Sequence, residues 1–133
     1  MAYFLAKTDP ESYSIDDLER DGTTEWDGVR NPAAVKAIRE MCPGDQVFIY
    51  HSQGQAAVVG LAEVVSEPRP DANNPKSWVA DFRFVRRLRR PVTLREIKES
   101  RKFDDWLLVR QGRLSTMRAP DAFAEWMREL GAM

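Results

Sequence analysis

The chain of 133 residues contains only one cysteine and one histidine. A single cysteine cannot form a disulfide within the chain, which is consistent with a reducing compartment. One cysteine and one histidine also fall short of the nitrogen and sulfur ligands that a typical zinc site needs. We therefore expect no structural metal site.

Long apolar segments are scarce as well. The apolar N-terminal segment ends at Lys7, short of the core of a secretion signal, and no stretch approaches the roughly 20 apolar residues that cross a bilayer. Hydrophobic residues make up 43% of the chain and charged residues 31%, as in ordinary globular domains. These features predict a cytoplasmic protein without membrane association, folded as one domain over residues 1–133.

Catalytic motifs are missing from the sequence. There is no glycine-rich phosphate loop. His51 and Ser52 are adjacent, and neighbouring residues of a strand point to opposite faces, so they form a poor catalytic pair. Cys42 is more typical of a small buried residue than of a nucleophile. The sequence thus favours a binding role, and a small hydrolase built on His51 with Ser52 or Cys42 is the weakest alternative.

Charge is unevenly distributed along the chain, although the net charge is only −1. Residues 1–66 contain five Lys or Arg and eleven Asp or Glu, whereas residues 67–133 contain fifteen and ten. Nine basic residues fall between Arg83 and Lys102. Such a patch is expected of a nucleic-acid-binding surface, and equally of a solvated strand edge and helix face. Charge alone leaves both interpretations open.

Apolar periodicity and turn residues predict short strands and short helices. Strands are predicted at 3–7, 46–51, 56–65 and 78–88, with 113–116 extended, a turn at 21–24 and a loop at 68–75. Helices are predicted at 15–19, 32–41, 94–100, 104–109 and 121–130, with N-caps at Ser14, Asn31, Thr93 and Asp121. Gly60 interrupts its strand, which indicates a bulge or a close backbone approach. Too few long helices separate the strands for a doubly wound sheet, so a small curved sheet or barrel with helices outside is expected.

Five segments, in order, resemble the motifs of EVE domains. They are YFLAKTDP with YSIDDL at 3–18, WDGVRN at 26–31, GDQVFIYHS at 44–52, PVTL at 91–94 and RLS at 113–115. The resemblance covers nearly the whole chain. It implies an α+β fold, a PUA-like mixed β-barrel with short helices packed around it, related to YTH and ASCH domains. It also implies a module without a cofactor that recognises a flipped, modified base in DNA or RNA.

The sequence departs from the family pattern at two informative places. Phe4 stands where the family usually has tryptophan. After Asn31 the chain continues as Pro-Ala-Ala-Val-Lys, where many members have an aromatic residue and then Gln-Ala-Arg-Asn. The second change removes an arginine that can contact a phosphate. This change and the net charge of −1 favour the alternative function, a protein-interaction or regulatory domain with a PUA-like fold and no nucleic-acid binding.

A pocket that reads one base needs aromatic walls, polar groups for the base edge and a basic rim for the phosphates. The candidates for the base pocket are Trp26, Asn31, Tyr50, Ser52, Trp78, Leu114 and Ser115. The candidates for the phosphate-binding rim are Lys7, Arg30, Lys36 and Arg113. Structural roles compete at several of these positions, because Trp26 and Trp78 also suit a core and Asn31 also suits a helix cap. Trp106 and Trp126 lie in helical apolar stripes and are predicted to be core residues.

Overall fold

The computed structural model describes residues 1–133. The strands are β1 (Tyr3–Thr8), β2 (Thr23–Trp26), β3 (Gln46–His51), β4 (Ala57–Val64), β5 (Arg69–Asp71), β6 (Asn74–Thr93) and β7 (Thr116–Ala119). The helices are α1 (Ile15–Asp21), α2 (Pro32–Arg39), α3 (Leu94–Ser100), α4 (Leu107–Arg110) and α5 (Asp121–Glu129). None of these helices is long and apolar enough to cross a bilayer.

The sheet has the order β2-β6-β4-β3-β1-β7, with β5 paired to β6. Strands β1 and β3 are parallel, and the other pairs are antiparallel. The α+β class is confirmed, but the sheet is open rather than closed into the expected barrel, because β2 and β7 do not pair with each other. Helix α2 packs against both β7 and β6. Helix α2 thus lies between the two ends of the sheet, where a closed barrel would need strand pairing.

The N-caps show how local sequence sets the helix starts. Ser14 accepts the backbone N–H of Asp17 while the Asp17 carboxylate accepts that of Ser14, which is the predicted capping box. Asn31 and Thr93 cap α2 and α3 as expected. The prediction for Asp121 is wrong, since Pro120 is the N-cap of α5. Asp121 instead lies in the first helical turn, where a carboxylate stabilises the positive end of the helix dipole.

Three strand predictions need correction. Thr23 and Thr24, expected as part of a turn, belong to strand β2, which pairs with β6. Arg69–Asp71, expected as loop, pairs with the first part of β6. Strand β6 also continues through Pro91 to Thr93 instead of stopping there. The ladder between β4 and the last part of β6 is irregular. An irregular ladder accommodates a proline, because no backbone N–H is needed from that residue.

Gly60 confirms the predicted close approach. A Cβ at this position would collide with the end of the Ile15 side chain and would lie 3.2 Å from the carbonyl oxygen of Arg86. The pairing of β4 with β6 shifts register beside Gly60. Helix α1 can therefore pack directly on the sheet, and this contact places the loop before α1 next to the end of β1.

An aromatic cluster forms the core beneath α5. The ring of Phe123 lies 5.1 Å from that of Phe48 and 4.7 Å from that of Trp106. Trp106 and Trp126 are each 8% exposed, so their prediction as core residues is confirmed. The indole N–H of Trp106 donates to the carbonyl of Arg118 at 2.8 Å, which satisfies its polar group inside the core.

Candidate nucleic-acid interface

A pocket of about 440 Å³ opens where the end of β1 meets β2. Its walls come from the end of β1, the loop before α1, strand β2, the turn after β2 and the start of β7. The lining residues are Lys7, Thr8, Ser12, Tyr13, Thr24, Glu25, Trp26, Asp27, Gly28, Val29 and Ser115. The pocket thus combines two aromatic rings with hydroxyl, carboxylate and ammonium groups.

Trp26 forms the aromatic wall and is only 7% exposed. Its ring stacks on that of Phe82, and the ring of Tyr13 meets it at 6.2 Å and 84°. The following turn is held in place because the buried Ser77 hydroxyl donates to the carbonyl of Val29. These contacts fix the orientation of the indole before any ligand binds.

Tyr13 also lines the pocket, although its sequence context did not predict this. Its hydroxyl donates to a carboxylate oxygen of Asp21 at 2.8 Å. Desolvation is the main reason that the pKa of Tyr13 is raised. The residue belongs to one of the family-like segments, but a tyrosine before a helix cap carries no pattern that marks it as a pocket wall.

Lys7 supplies the positive charge of the pocket. Its ammonium donates to the carbonyl oxygen of Gly112 at 2.8 Å and makes no ion pair. Partial burial lowers the pKa of Lys7. Because an ammonium has three donors, two of them remain for an anionic ligand.

Ser115 reaches the same pocket from the start of β7. Its backbone carbonyl accepts the N–H of Lys7 at 2.7 Å, which ties the two residues together. The Ser115 hydroxyl lies 3.4 Å from that of Thr116. Lys7, Trp26 and Ser115 are therefore the predicted site residues that the structure brings into one pocket.

The remaining predicted wall residues lie elsewhere. Tyr50 is 3% exposed and lies beneath Lys7, whose ammonium is 5.3 Å from the ring centre. Trp78 is half-buried, with the guanidinium of Arg39 4.6 Å from its ring centre. Neither side chain lines the pocket. A tertiary contact from α2 thus covers the ring that was expected to form the opposite wall.

The other polar and apolar candidates are also outside the pocket lining. The side chain of Asn31 accepts the N–H of Ala33 at 2.8 Å and so caps α2. Ser52 is exposed and its backbone N–H donates to the carbonyl of Thr8 at 3.0 Å. Leu114 is buried and, with Lys36, lines a separate groove of about 280 Å³.

The four predicted rim cations are all free of ion pairs. These residues are Lys7, Arg30, Lys36 and Arg113. By contrast, five of the nine cations between Arg83 and Lys102 pair with carboxylates: Arg83, Arg87, Arg90, Arg95 and Arg101. Ion pairs therefore compensate just over half of the basic patch, as expected of a solvated strand edge, whereas Lys7 in the pocket is uncompensated.

His51 has a structural role. Its Nε2 accepts the backbone N–H of Ile15 at 3.1 Å, so this nitrogen is occupied at the start of α1. Desolvation lowers the pKa of His51, and Arg87 lowers it further while Asp16 raises it. Cys42 is exposed rather than buried, because it lies in the turn after α2.

Comparison with known proteins agrees with this architecture. The sequence profile of the EVE domain matches residues 2–130. Rat thymocyte nuclear protein 1 is 36% identical over 124 residues, which cover 72% of this chain and 55% of that protein. The chain spans about half the length of the curated relatives that it matches.

Solved structures extend the likeness to the fold. The crystal structure of human THYN1 protein in complex with DNA containing 5-methylcytosine has a TM-score of 0.89 and 27% identity, and covers 100% of this chain and 99% of that one. The YTH domain of a Zygosaccharomyces rouxii protein, solved with N6-methyladenosine RNA, has a TM-score of 0.62 and 17% identity, and covers 99% and 87%. The second likeness concerns the fold alone.

Proposed function

Because the chain belongs to the EVE-domain family, we propose that it binds DNA or RNA by holding one flipped-out, modified base in the pocket of Lys7, Trp26 and Ser115. One observation carries the proposal: an indole wall fixed by stacking on Phe82 stands beside an ammonium that has no carboxylate partner. The similarity to human THYN1 protein in complex with 5-methylcytosine DNA supports the same class of ligand.

The size and energetics of the pocket suit one base. A volume of about 440 Å³ falls within the range of roughly 300–1,000 Å³ found for small-ligand sites. Flipping a base out of a duplex costs a few kcal/mol, and stacking on an aromatic ring stabilises the flipped base by about 1–3 kcal/mol. Since Trp26 is already held in place, little ordering cost is added on binding.

Each kind of group has a separate role. Trp26 and Tyr13 provide apolar surface for the base, while Ser115 and the carboxylate of Asp27 can hydrogen-bond to its edge. Lys7 binds the adjacent phosphate, and Arg30 and Arg113 extend the positive rim. Phosphate contacts give affinity without sequence information, whereas contacts to the base edge give selectivity.

We further propose that the domain binds without catalysis. The Nε2 of its single histidine accepts the Ile15 N–H, and Cys42 lies away from the pocket lining. The polar groups of the pocket are suited to hydrogen bonding with a base, and none forms a nucleophile–base pair.

The test compares short duplexes and single strands of one sequence that contain cytosine, 5-methylcytosine, adenine or N6-methyladenine at one position. Fluorescence anisotropy at two salt concentrations gives the affinities. We expect one modified oligonucleotide to bind about fourfold tighter than its unmodified counterpart, the effect of burying one methyl group at about 0.8 kcal/mol.

Two matched variants locate the interaction. Trp26→Phe should reduce the preference for the modified base, and Trp78→Phe, which changes a tryptophan outside the pocket, should leave it intact. Equal, weak and strongly salt-dependent binding of every oligonucleotide, the pattern of non-specific phosphate contacts, contradicts the proposal. So does an equal effect of the two variants.

A further inference from the structure

A larger concavity lies at the opposite end of β1 and β7. It has a volume of about 890 Å³ and runs between the segment before α4 and the junction of β7 with α5. A groove of about 560 Å³ continues it along α5 and shares Lys102, Phe103, Asp121 and Ala122. Tyr3 pairs with Ala119 at this end, whereas Lys7 and Ser115 lie at the other. We call this continuous concavity the α5 groove; it is separate from the base pocket.

The floor of the α5 groove is aromatic. The ring of Phe103 lies 6.1 Å from that of Trp106 and 5.4 Å from that of Trp126. At the rim, Leu107 is 39% exposed, and few other large apolar side chains of the chain are as exposed. An apolar side chain from a ligand would therefore meet a rigid surface whose rings are already packed.

One edge of the groove is an acidic stripe. Asp121, Glu125 and Glu129 recur at every fourth position of α5 and are exposed. Residues at this spacing are neighbours on a helix, and like charges there destabilise it by about 0.2–0.5 kcal/mol per pair. Glu129 also lies in the last turn, where the helix dipole disfavours an anion. Local helix stability does not explain the full stripe.

The negative charge of the groove is not compensated within the protein. Asp105, Asp121, Glu125 and Glu129 make no ion pair. Of the cations at the groove, Arg101 pairs with Asp104 and Arg118 pairs with Glu40. Lys102 alone has no carboxylate partner. The available charge is thus strongly negative around an apolar floor.

We propose that the α5 groove docks a basic peptide segment of a partner protein. A leucine-like side chain of this segment packs on Phe103, Trp106 and Trp126, and its lysines or arginines lie along Asp121, Glu125 and Glu129. Helix-in-groove binding of this kind uses apolar anchors and charges spaced along one face. The same stripe repels the phosphate backbone of a nucleic acid, so a nucleic acid in the base pocket leaves the α5 groove free. A peptide and a nucleic acid can therefore bind at the same time.

The test uses the full chain and a synthetic helical peptide with lysine at every fourth position and leucines beside the lysines on the same face. The four indole N–H signals of the protein are followed by ¹H–¹⁵N NMR. We expect the signals of Trp106 and Trp126 to shift and those of Trp26 and Trp78 to stay, which uses the two distant tryptophans as internal references. Peptides with glutamate in place of lysine, or alanine in place of leucine, should shift none of them.

A pair of charge reversals then tests the stripe. Glu125→Lys should weaken binding of the lysine peptide by about tenfold, a change of about 1.4 kcal/mol. Glu67→Lys makes the same change at an exposed, unpaired position outside the groove and should leave the affinity unchanged. Far-ultraviolet circular dichroism checks that both variants are folded. Glu125→Gln, which removes the charge without reversing it, should give an intermediate loss of peptide affinity.

Three results would overturn the proposal: no shift of either groove indole, a shift of Trp26 in their place, or equal affinity for Glu125→Lys and wild type. Oligonucleotide binding at the base pocket is measured on the same samples. Because the two sites lie at opposite ends of β1, failure of either proposal leaves the other result intact.

Discussion

The rings of Trp26 and Phe82 stack with their centroids 5.1 Å apart and their planes 23° from parallel. Trp26 therefore belongs to the hydrophobic core and to the pocket wall at once. We expect Trp26→Ala to lower the free energy of unfolding by about 3–5 kcal/mol, as for other large aromatic truncations, and Trp26→Phe to cost clearly less. Guanidinium denaturation measures both. A loss below about 1 kcal/mol for Trp26→Ala would show that the stack contributes little to the core.

Lys7 is the cation that we expect to contribute most to the salt dependence of nucleic-acid binding. Lys7→Met should reduce the slope of log K against log salt by about one, the effect of losing one phosphate contact. Arg95→Met is the matched control, since Arg95 pairs with Glu99 on the outside of α3. Equal slopes for Lys7→Met and wild type would place the phosphate contact elsewhere.

The protonation of Lys7 also predicts that the affinity for nucleic acid depends on pH. Burial lowers the pKa of Lys7, and a bound phosphate favours the charged form. Affinity should therefore fall as the pH rises through the lowered pKa of Lys7, and Lys7→Arg should remove this fall because a guanidinium stays charged. Anisotropy titrations between neutral and alkaline pH measure this loss of affinity. An identical alkaline loss in Lys7→Arg would assign the titration to another group.

Variants of Asn31 distinguish a helix-capping role of this side chain from a contact with the nucleic acid. Its side chain accepts the Ala33 N–H, so Asn31→Ala should cost about 1 kcal/mol of stability. Asn31→Ser keeps a capping side chain without adding charge, and because Asn31 lies outside the pocket lining, its oligonucleotide affinity should stay close to that of wild type. Thermal unfolding and anisotropy give the two readouts. Reduced affinity in the stable Asn31→Ser variant would reveal a direct contact with the nucleic acid.

His51 predicts a loss of stability at mildly acidic pH. Its pKa is lowered in the folded protein, chiefly by desolvation, so below a pH of about 6.5 the unfolded chain binds a proton that the native chain does not. The free energy of unfolding should fall as the pH decreases from 7 to about 5, above the range in which carboxylates titrate. His51→Gln should flatten this part of the curve in denaturant titrations. An unchanged pH dependence in that variant would rule out His51 as its source.

Gly60 and Ile15 should be energetically coupled. Gly60→Ala places a Cβ against the Ile15 side chain and close to the carbonyl of Arg86, and overpacking of this kind costs about 1–3 kcal/mol. Ile15→Val removes the terminal methyl group, so the double variant should be more stable than the sum of the single losses predicts. A double-mutant cycle measures the coupling, and strict additivity would show that the two side chains do not interact.

The features that local sequence controls were predicted well. Ser14, Asn31 and Thr93 cap helices because their side chains bond to a backbone N–H two or three residues ahead. Strands β3 and β4 follow from their apolar runs. Strand β2 was missed because Thr23 to Glu25 are polar and gain their extended conformation only from pairing with β6. Long-range pairing is not encoded in a local pattern.

The site was predicted in part for the same reason. Lys7, Trp26 and Ser115 meet in one pocket, but no local pattern indicated that Arg39 would cover Trp78. Nor could it show that Asp16 and Glu19, about 70 residues earlier in the chain, would pair with Arg87. Compensation of charge depends on tertiary contacts, so a basic run in a sequence overestimates the charge available to a ligand. The cytoplasmic location stays a prediction.

The pairing of Tyr3 with Ala119 has a consequence for biosynthesis. Within this domain β1 leaves the ribosome before its partner β7, which is made 116 residues later, an interval of about 6–23 s at typical translation rates. Throughout that interval one edge of an apolar strand is open to other nascent chains. Chaperone demand should therefore be greatest just before the C-terminal helix emerges, and a ribosome that stalls near residue 110 should yield an aggregation-prone intermediate.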